Sequence, residues 1–204
     1  MTDGAHRRRI IAAAIELTAR SGWSTVTMAA LAETVGVSRQ TVYNEIGSKQ
    51  ALAEAMVHDE LGRFLAAVER AFDRDPDDLA ASIRGAVRAV LDLARDNALL
   101  RAIVSATHDA DTALLPLLTT HASSLLTTAK AVLTHRLTTF AHPLDDHQFA
   151  VTIDVVVRAV LSHVMQPSDT PERTADDIAW LVDAVITRPG AVAGTAPGAA
   201  GGSR

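Results

Sequence analysis

The side chains in this chain best suited to specific chemistry lie close together between Ser38 and Lys49. Arg39 can pair with both acceptor atoms of a guanine edge, Gln40 with the donor and acceptor of an adenine edge, and Thr41 can touch a thymine methyl. Tyr43, Asn44 and Lys49 carry donors suited to phosphate oxygens, and helices opening at Ser38 and Ser48 would aim backbone N–H groups at the same anions. The chemistry on offer is recognition of double-stranded DNA, carried by hydrogen bonds and charge with no covalent step. Other chemistries are harder to find. The sequence has no GxSxG, no Walker loop and no GxGxxG with a flanking strand,. It has no cysteine, which removes disulfides, Cys-ligated zinc, iron–sulfur clusters and thiol catalysis together,. His135, His142 and His147 fall near Asp145 and Asp146, but neither HxxxH nor HExxH occurs, so they are predicted to be surface histidines,. No metal or cofactor is predicted.

Readout of this kind needs a short helix held firmly against its neighbours, and the surrounding residues predict one. Ile10, Ala14 and Leu17, flanked by Ile11 and Thr18, form the apolar stripe of a first helix that Ser21-Gly22 should end,. Thr27 is placed to cap Met28–Thr34 and Ser38 to cap Arg39–Glu45. Between them Val35-Gly36-Val37 makes a sharp turn, while Leu31, Ala32, Val35, Val37 and Val42 supply the contacts of two crossing helices. That is a helix-turn-helix, whose second helix enters the major groove with its first turn against base edges. Two readings stay open at this stage. Tyr43 can serve as a core aromatic, and Arg39 and Gln40 as solvated first-turn residues. Arg7-Arg8-Arg9 is either a solvated N-terminus or an arm reaching phosphates or the minor groove.

From about Ile10 to Leu52 the sequence resembles the TetR family of bacterial transcriptional regulators. The resemblance rests on a first helix ending in Gly22, Thr27 opening the second, then V-G-V-S-x-x-T-V-Y and S-K-Q-A-L in matching order and spacing. It implies that Thr27 joins Ser38, Arg39, Gln40, Thr41, Tyr43, Asn44, Ser48 and Lys49 in binding operator DNA. Four positions depart from the family pattern. Thr18 stands where Phe is common, Gln40 where a small residue is usual, and Glu45 and Ile46 where His and Phe are common. Glu45, an acidic group near DNA phosphates, is expected to weaken binding unless it faces away or pairs with Lys49.

Beyond Gly47-Ser48 the pattern stays helical, with helices predicted from Ser48 to about Arg74 and over 76–95, 97–108, 112–141, 145–165 and 171–187. Asp75-Pro76 and Thr170-Pro171 mark two of the starts and Asp145 with Gln148 a capping box,. In 149–165, Phe149, Ile153, Val156, Val157, Val160 and Val164 share one arc, and Val151, Val155, Arg158, Ser162 and Met165 lie opposite. In the last helix Ile178, Leu181, Val182 and Val185 are predicted to point inward and Trp180 outward. A helix apolar on two sides is buried on two sides. The family resemblance implies that these outer faces form a homodimer interface, although Trp180 can also stand exposed singly or pack on the tail. The middle helices interleave apolar and small polar residues. Leu99, Ile103, Thr107, Leu114, Leu118, His121, Leu125, Phe149 and Ile153 are the candidate lining of an effector pocket suited to a fatty-acid-like or hydrocarbon-like molecule.

The expected architecture is all-α. An N-terminal three-helix DNA-binding domain occupies 1–47, a helical ligand-binding and dimerisation domain 48–188, and 189–204, rich in Gly, Ala, Pro and Thr, is a predicted disordered tail. No apolar run approaches 18 residues and no signal-peptide core is evident, which predicts a cytoplasmic protein without a membrane partner. The formal net charge of −5 is unevenly spread. Residues 1–50 hold six basic and four acidic side chains, and the acidic excess lies entirely beyond them. Taken with the family resemblance, the sequence predicts a ligand-responsive repressor that binds a palindromic operator as a homodimer. A DNA-binding regulator without an effector is the alternative, with an all-α lipid carrier or enzyme a distant third.

Overall fold

The computed structural model describes residues 3–97, 99–101 and 122–187, and every regular element among them is a helix. Helix α1 (Asp3–Ser21) ends at Gly22, whose φ of 83° suits a residue without Cβ,. Thr18, in place of a large aromatic, is 1% exposed, and its hydroxyl donates to the Ala14 carbonyl at 2.7 Å, so the burial leaves no polar group unmet,. A 3-10 turn over Trp23–Thr25 follows, with Trp23 buried. Helix α2 (Met28–Val35) opens on Thr27, whose side chain accepts from the Ala30 N–H. It closes on Gly36 in the left-handed region at φ 73°, where the Gly36 and Val37 amides both return to the Ala32 carbonyl,. Helix α3 (Arg39–Ile46) opens on Ser38 and α4 (Lys49–Arg74) on Ser48, each through a side-chain oxygen accepting from the amide three residues on,.

Helix α4 has 26 residues, about 39 Å at 1.5 Å per residue, and it links two cores,. Leu52, Ala53 and Met56 at its start pack with Ile10, Ala14, Trp23, Leu31, Val42 and Ile46. Ala71 and Phe72 at its end join a second cluster with Ile83, Val87, Leu133, Ile153, Val157 and Ile178. Helix α5 (Leu79–Arg95) lies at the centre of the second cluster, packing most extensively on α4 and on α8 (Pro171–Thr187). Helices α6 (Ala122–Leu137) and α7 (Asp146–Met165) complete it. Exposed pairs Arg84–Asp176 at 2.7 Å and Arg88–Glu172 at 2.8 Å join α5 to α8. On α7, side-chain hydrogen bonds from Lys130 and Arg158 hold the Asp154 carboxyl below its ordinary range.

The structure corrects three expectations. Helix α5 starts at Leu79 and not at Pro76, because Asp78 is the residue that caps it, accepting from the Ala81 amide at 2.9 Å. Asp75-Pro76-Asp77 instead forms a turn, with the Asp75 carbonyl accepting from the Asp78 amide and the Ser82 hydroxyl,. Helix α6 ends at Leu137 and not at 141, where the Thr138 and Thr139 hydroxyls take up the His135 and Arg136 carbonyls,. On α8 the inward stripe is Ala175, Ile178, Ala179, Val182 and Ile186, while Leu181 and Val185 are exposed. Small Ala175 and Ala179 allow the close approach to α5, and that approach sets the helix's rotation. The segment predicted as helix over 97–108, and the first part of that over 112–141, lie mostly outside the described residues.

Candidate nucleic-acid interface

Helix α3 is anchored by two side chains and otherwise displayed. Val42 and Ile46 are buried in the first core, whereas Arg39, Gln40, Asn44 and Tyr43 are exposed, Tyr43 at 51%. Exposure of so large an aromatic settles its role against a core reading. The first turn is stiffened from within, since Ser38 Oγ accepts from the Thr41 amide at 3.0 Å and shares a hydrogen bond with Thr41 Oγ1 at 2.9 Å. Capping uses the Thr27, Ser38 and Ser48 hydroxyls as acceptors, so what these positions can offer an anion is the hydroxyl O–H together with the first-turn N–H groups that the caps leave without a partner,. One turn along the same helix, Gln40 Nε2 donates to Asn44 Oδ1 at 2.8 Å.

Three cations expected from sequence at phosphates or in solvent have partners within the protein. Lys49 is half-buried, its ammonium 4.8 Å from the Trp23 ring centroid and donating to the carbonyls of Trp23 at 3.0 Å and Ser24 at 3.4 Å. It therefore pins the 3-10 turn to the start of α4, with one N–H still to offer a phosphate. Arg9 Nη2 donates to the Val35 carbonyl at 2.7 Å and Arg7 Nη1 to the Glu45 carbonyl. Each guanidinium thus sits at the C-terminal, negative end of a helix of the helix-turn-helix. These staples span 26 and 38 residues and no local spacing announces them. Lys49→Ala is expected to lower the melting temperature by a few degrees, since a charge-assisted hydrogen bond and a cation–π contact are together worth about 1–3 kcal/mol. Differential scanning calorimetry checks it, and an unchanged transition would show the ammonium to be held only loosely.

A second polar cluster lies where the two cores meet. Glu60 of α4 is 6% exposed; its Oε1 accepts from Arg63 Nη1 at 2.8 Å and its Oε2 from Asn97 Nδ2 at 2.6 Å. Asn97 Oδ1 accepts from the Leu100 amide at 2.8 Å, and Leu99 packs into the N-terminal core. Leu99, expected in an effector pocket, thus belongs to the packing beneath the DNA-reading unit. Of the other candidate pocket residues, Ile153 is buried in the second core, Phe149 is half-buried and stacked on His142 with ring centroids 4.4 Å apart, and Leu125 is half-buried. Ile103, Thr107, Leu114, Leu118 and His121 lie outside the described residues. Among the described residues no His, Asp or Glu group is arranged to hold a metal ion.

The surface expected to pair two copies is apolar and uncovered. Val151, Val155 and Met165 on α7 and Trp180 on α8 are exposed, as are Arg158 and Ser162 between them. Helix α7 is the one helix among the described residues long and apolar enough to cross a bilayer, yet it carries Asp154 and Arg158 and buries Ile153, Val156 and Val157 in the protein core. Its capping box joins Asp145 and Gln148 as predicted.

Comparison with known proteins bears on these surfaces. Residues 10–56 match the family described as bacterial regulatory proteins, tetR family, and residues 78–184 match the bacterial tetracyclin repressor C-terminal domain. The HTH-type transcriptional regulator AlkX of Mycobacterium tuberculosis is 27% identical over 186 residues, covering 91% of this chain and 87% of that protein. The TetR family repressor AlkX from Dietzia sp. strain DQ12-45-1b, implicated in biodegradation of n-alkanes, is 25% identical in its crystal structure. It superposes with a TM-score of 0.69 over 87% of this chain and 96% of its own. The fatty acid degradation regulator FadR of Bacillus halodurans shares the fold at 18% identity, with a TM-score of 0.56 over 87% of this chain and 94% of its own.

Proposed function

We propose that this chain, which belongs to the TetR family of bacterial transcriptional regulators, acts as a homodimer that reads a palindromic operator and leaves it on binding a small apolar effector. The chain is a DNA-binding regulator of the repressor type and not an enzyme. The family consists of soluble DNA-binding proteins, and we place this one in the cytoplasm with its operator. The observation that carries the finer reading is α3, fixed by buried Val42 and Ile46 while Arg39, Gln40, Tyr43 and Asn44 are exposed on its outer side. One such helix reads few bases, and two related by a two-fold axis read half-sites about 34–36 Å apart. We assign DNA reading to residues 1–47 and dimerisation with effector binding to 48–188.

The proposed mechanism runs through α4. Its first turns belong to the core beneath α3 and its last turns to the core of the body, so a ligand wedged among the body helices would tilt it and change the spacing of the two recognition helices. Such a response requires the ligand to favour one state, typically by about 1–3 kcal/mol of coupling. An apolar effector, hydrocarbon-like or fatty-acid-like, is supported by the apolar residues of the middle helices and by likeness to a repressor implicated in n-alkane biodegradation.

Footprinting on the DNA upstream of the protein's own gene tests the DNA-reading part. Tyr43→Phe is expected to weaken protection a few-fold on every sequence, whereas Arg39→Ala should weaken it about 5- to 100-fold and relax preference at one half-site position. Unchanged footprints for both would overturn the assignment. Thermal shift with a panel of n-alkanes, fatty acids and small aromatics tests the effector. No shift with any of them would favour a regulator whose body serves dimerisation alone.

A further inference from the structure

We propose that Asn44 is a positioning residue for Gln40, holding the glutamine amide so that its free edge reads an adenine in the operator. The inference rests on the reading of α3 as the recognition helix and goes one step further, giving Asn44 a task other than phosphate contact. Gln40 and Asn44 are both exposed and stand one turn apart on α3, with Gln40 Nε2 donating to Asn44 Oδ1 at 2.8 Å,. Between them Val42 is buried, and Ser38 and Thr41 fix the first turn, so neither end of the pair can drift with the backbone.

The chemistry follows from the donors that remain. A primary amide has one acceptor oxygen and two N–H donors. Adenine shows the major groove an acceptor at N7 and a donor at N6, and an amide meets both at once with its oxygen and the N–H on the same side as that oxygen. Gln40 can give its other N–H to Asn44 and keep this edge free. A long flexible side chain held before binding loses less freedom on binding, which is why a fixed amide discriminates better than a mobile one. If the pair were turned the other way, with Asn44 donating to the Gln40 oxygen, Gln40 would be left with two donors and would favour guanine, which offers two acceptors.

The test is selection of half-sites from randomised duplexes by the full-length protein. Binding is then measured by fluorescence anisotropy on the selected operator with adenine or 7-deazaadenine at the selected position, the latter lacking the N7 acceptor. Wild type is expected to select adenine and to bind the 7-deaza operator about tenfold more weakly. Gln40→Ala should show neither effect. Asn44→Ala should reduce the 7-deaza penalty to about twofold although Gln40 is intact. Asn44→Asp keeps the acceptor oxygen, so it should retain the tenfold penalty while binding all DNA more weakly through charge repulsion. A full penalty in Asn44→Ala would overturn the proposal. So would selection of guanine by the wild type, or loss of the 7-deaza penalty in Asn44→Asp as well as in Asn44→Ala, since the retained acceptor oxygen would then not be what holds Gln40. If the wild type selected no sequence and Arg39→Ala changed nothing, the recognition-helix reading itself would fall, a result distinct from the other three.

Discussion

A protein carrying Val155→Glu together with Trp180→Glu is expected to remain folded, to sediment as a monomer, and to bind operator DNA at least about 100-fold more weakly than the wild type. Among the described residues, every large apolar side chain left exposed, apart from Tyr43, lies on α7 or α8: Val151, Val155, Leu161, Met165, Trp180, Leu181 and Val185. Trp180, at 69%, has lost little of its accessible surface on folding. Exposed apolar side chains gathered on two helices in this way mark an interaction site more often than an idle surface,. In a two-fold dimer each substituted position occurs twice, so the double variant would bring four carboxylates into an apolar interface, where unpaired charges are strongly disfavoured. Because both sites are exposed in the single chain, the same changes should barely alter its own melting. Losing one of two linked half-site contacts removes the gain from effective concentration, roughly 10²–10⁴ in affinity. The slope of log affinity against log salt should fall as well, since about half the phosphate contacts disappear. Sedimentation equilibrium and anisotropy at several salt concentrations check both parts. A variant that still sediments as a dimer and keeps its salt slope would move the dimer interface elsewhere.

The DNA-reading unit was legible in the sequence because its signals are local. Thr27, Ser38 and Ser48 each cap the helix that follows within three residues, and Gly36 takes the positive φ that a tight helix–helix turn requires. Where two local signals competed, sequence alone misjudged: Asp75-Pro76 and Asp78 lie within one turn, and hydrogen bonding to the Asp75 carbonyl decides for the second. The sequence pattern places Leu181 and Val185 inward because α8 is apolar on two sides, and periodicity gives the angle between two faces without saying which one meets the core. The staples formed by Arg7, Arg9 and Lys49 join residues 25 or more apart, beyond the reach of any pattern along one helix. They also alter the meaning of the charge distribution. Part of the basic excess in residues 1–50 stabilises the helix-turn-helix, so affinity for DNA should rest on few free cations and on well-placed base contacts. The apolar middle of the body is visible as composition, but composition does not fix geometry, as Leu99 shows by packing under the DNA-reading unit.

Asn97→Ala is expected to lower the melting temperature by about 4–10 °C, the largest stability effect of any single polar substitution considered. The change removes the donor to Glu60 Oε2 and the acceptor that caps the Leu100 amide, at a site 6% exposed on both partners. An acceptor left unmet in such surroundings costs about 1–3 kcal/mol and more when it is charged. For a chain of this length each kcal/mol shifts the transition by about 2–4 °C. Arg63 still holds Oε1, but it is 57% exposed and its one hydrogen bond to the carboxylate is to that oxygen, so Oε2 loses the donor that Asn97 gave it. The double replacement Glu60→Leu with Asn97→Leu separates stability from positioning. Removing both partners abolishes the unmet charge, so most of the lost stability should return, as it does when buried ion pairs give way to apolar packing. The double variant would also lose the side-chain tie between α4 and the turn before Leu99, leaving packing alone to hold their register. Operator affinity in the double variant is therefore expected to stay reduced, by roughly the 1–3 kcal/mol typical of coupling between sites, even with its melting temperature near the wild type. Calorimetry and anisotropy on the same preparations decide the matter. Full recovery of both quantities would make the Glu60–Asn97 contact a stabilising one with no part in aiming the recognition helices. Recovery of stability alone would make the contact one through which the body and the N-terminal unit are coupled.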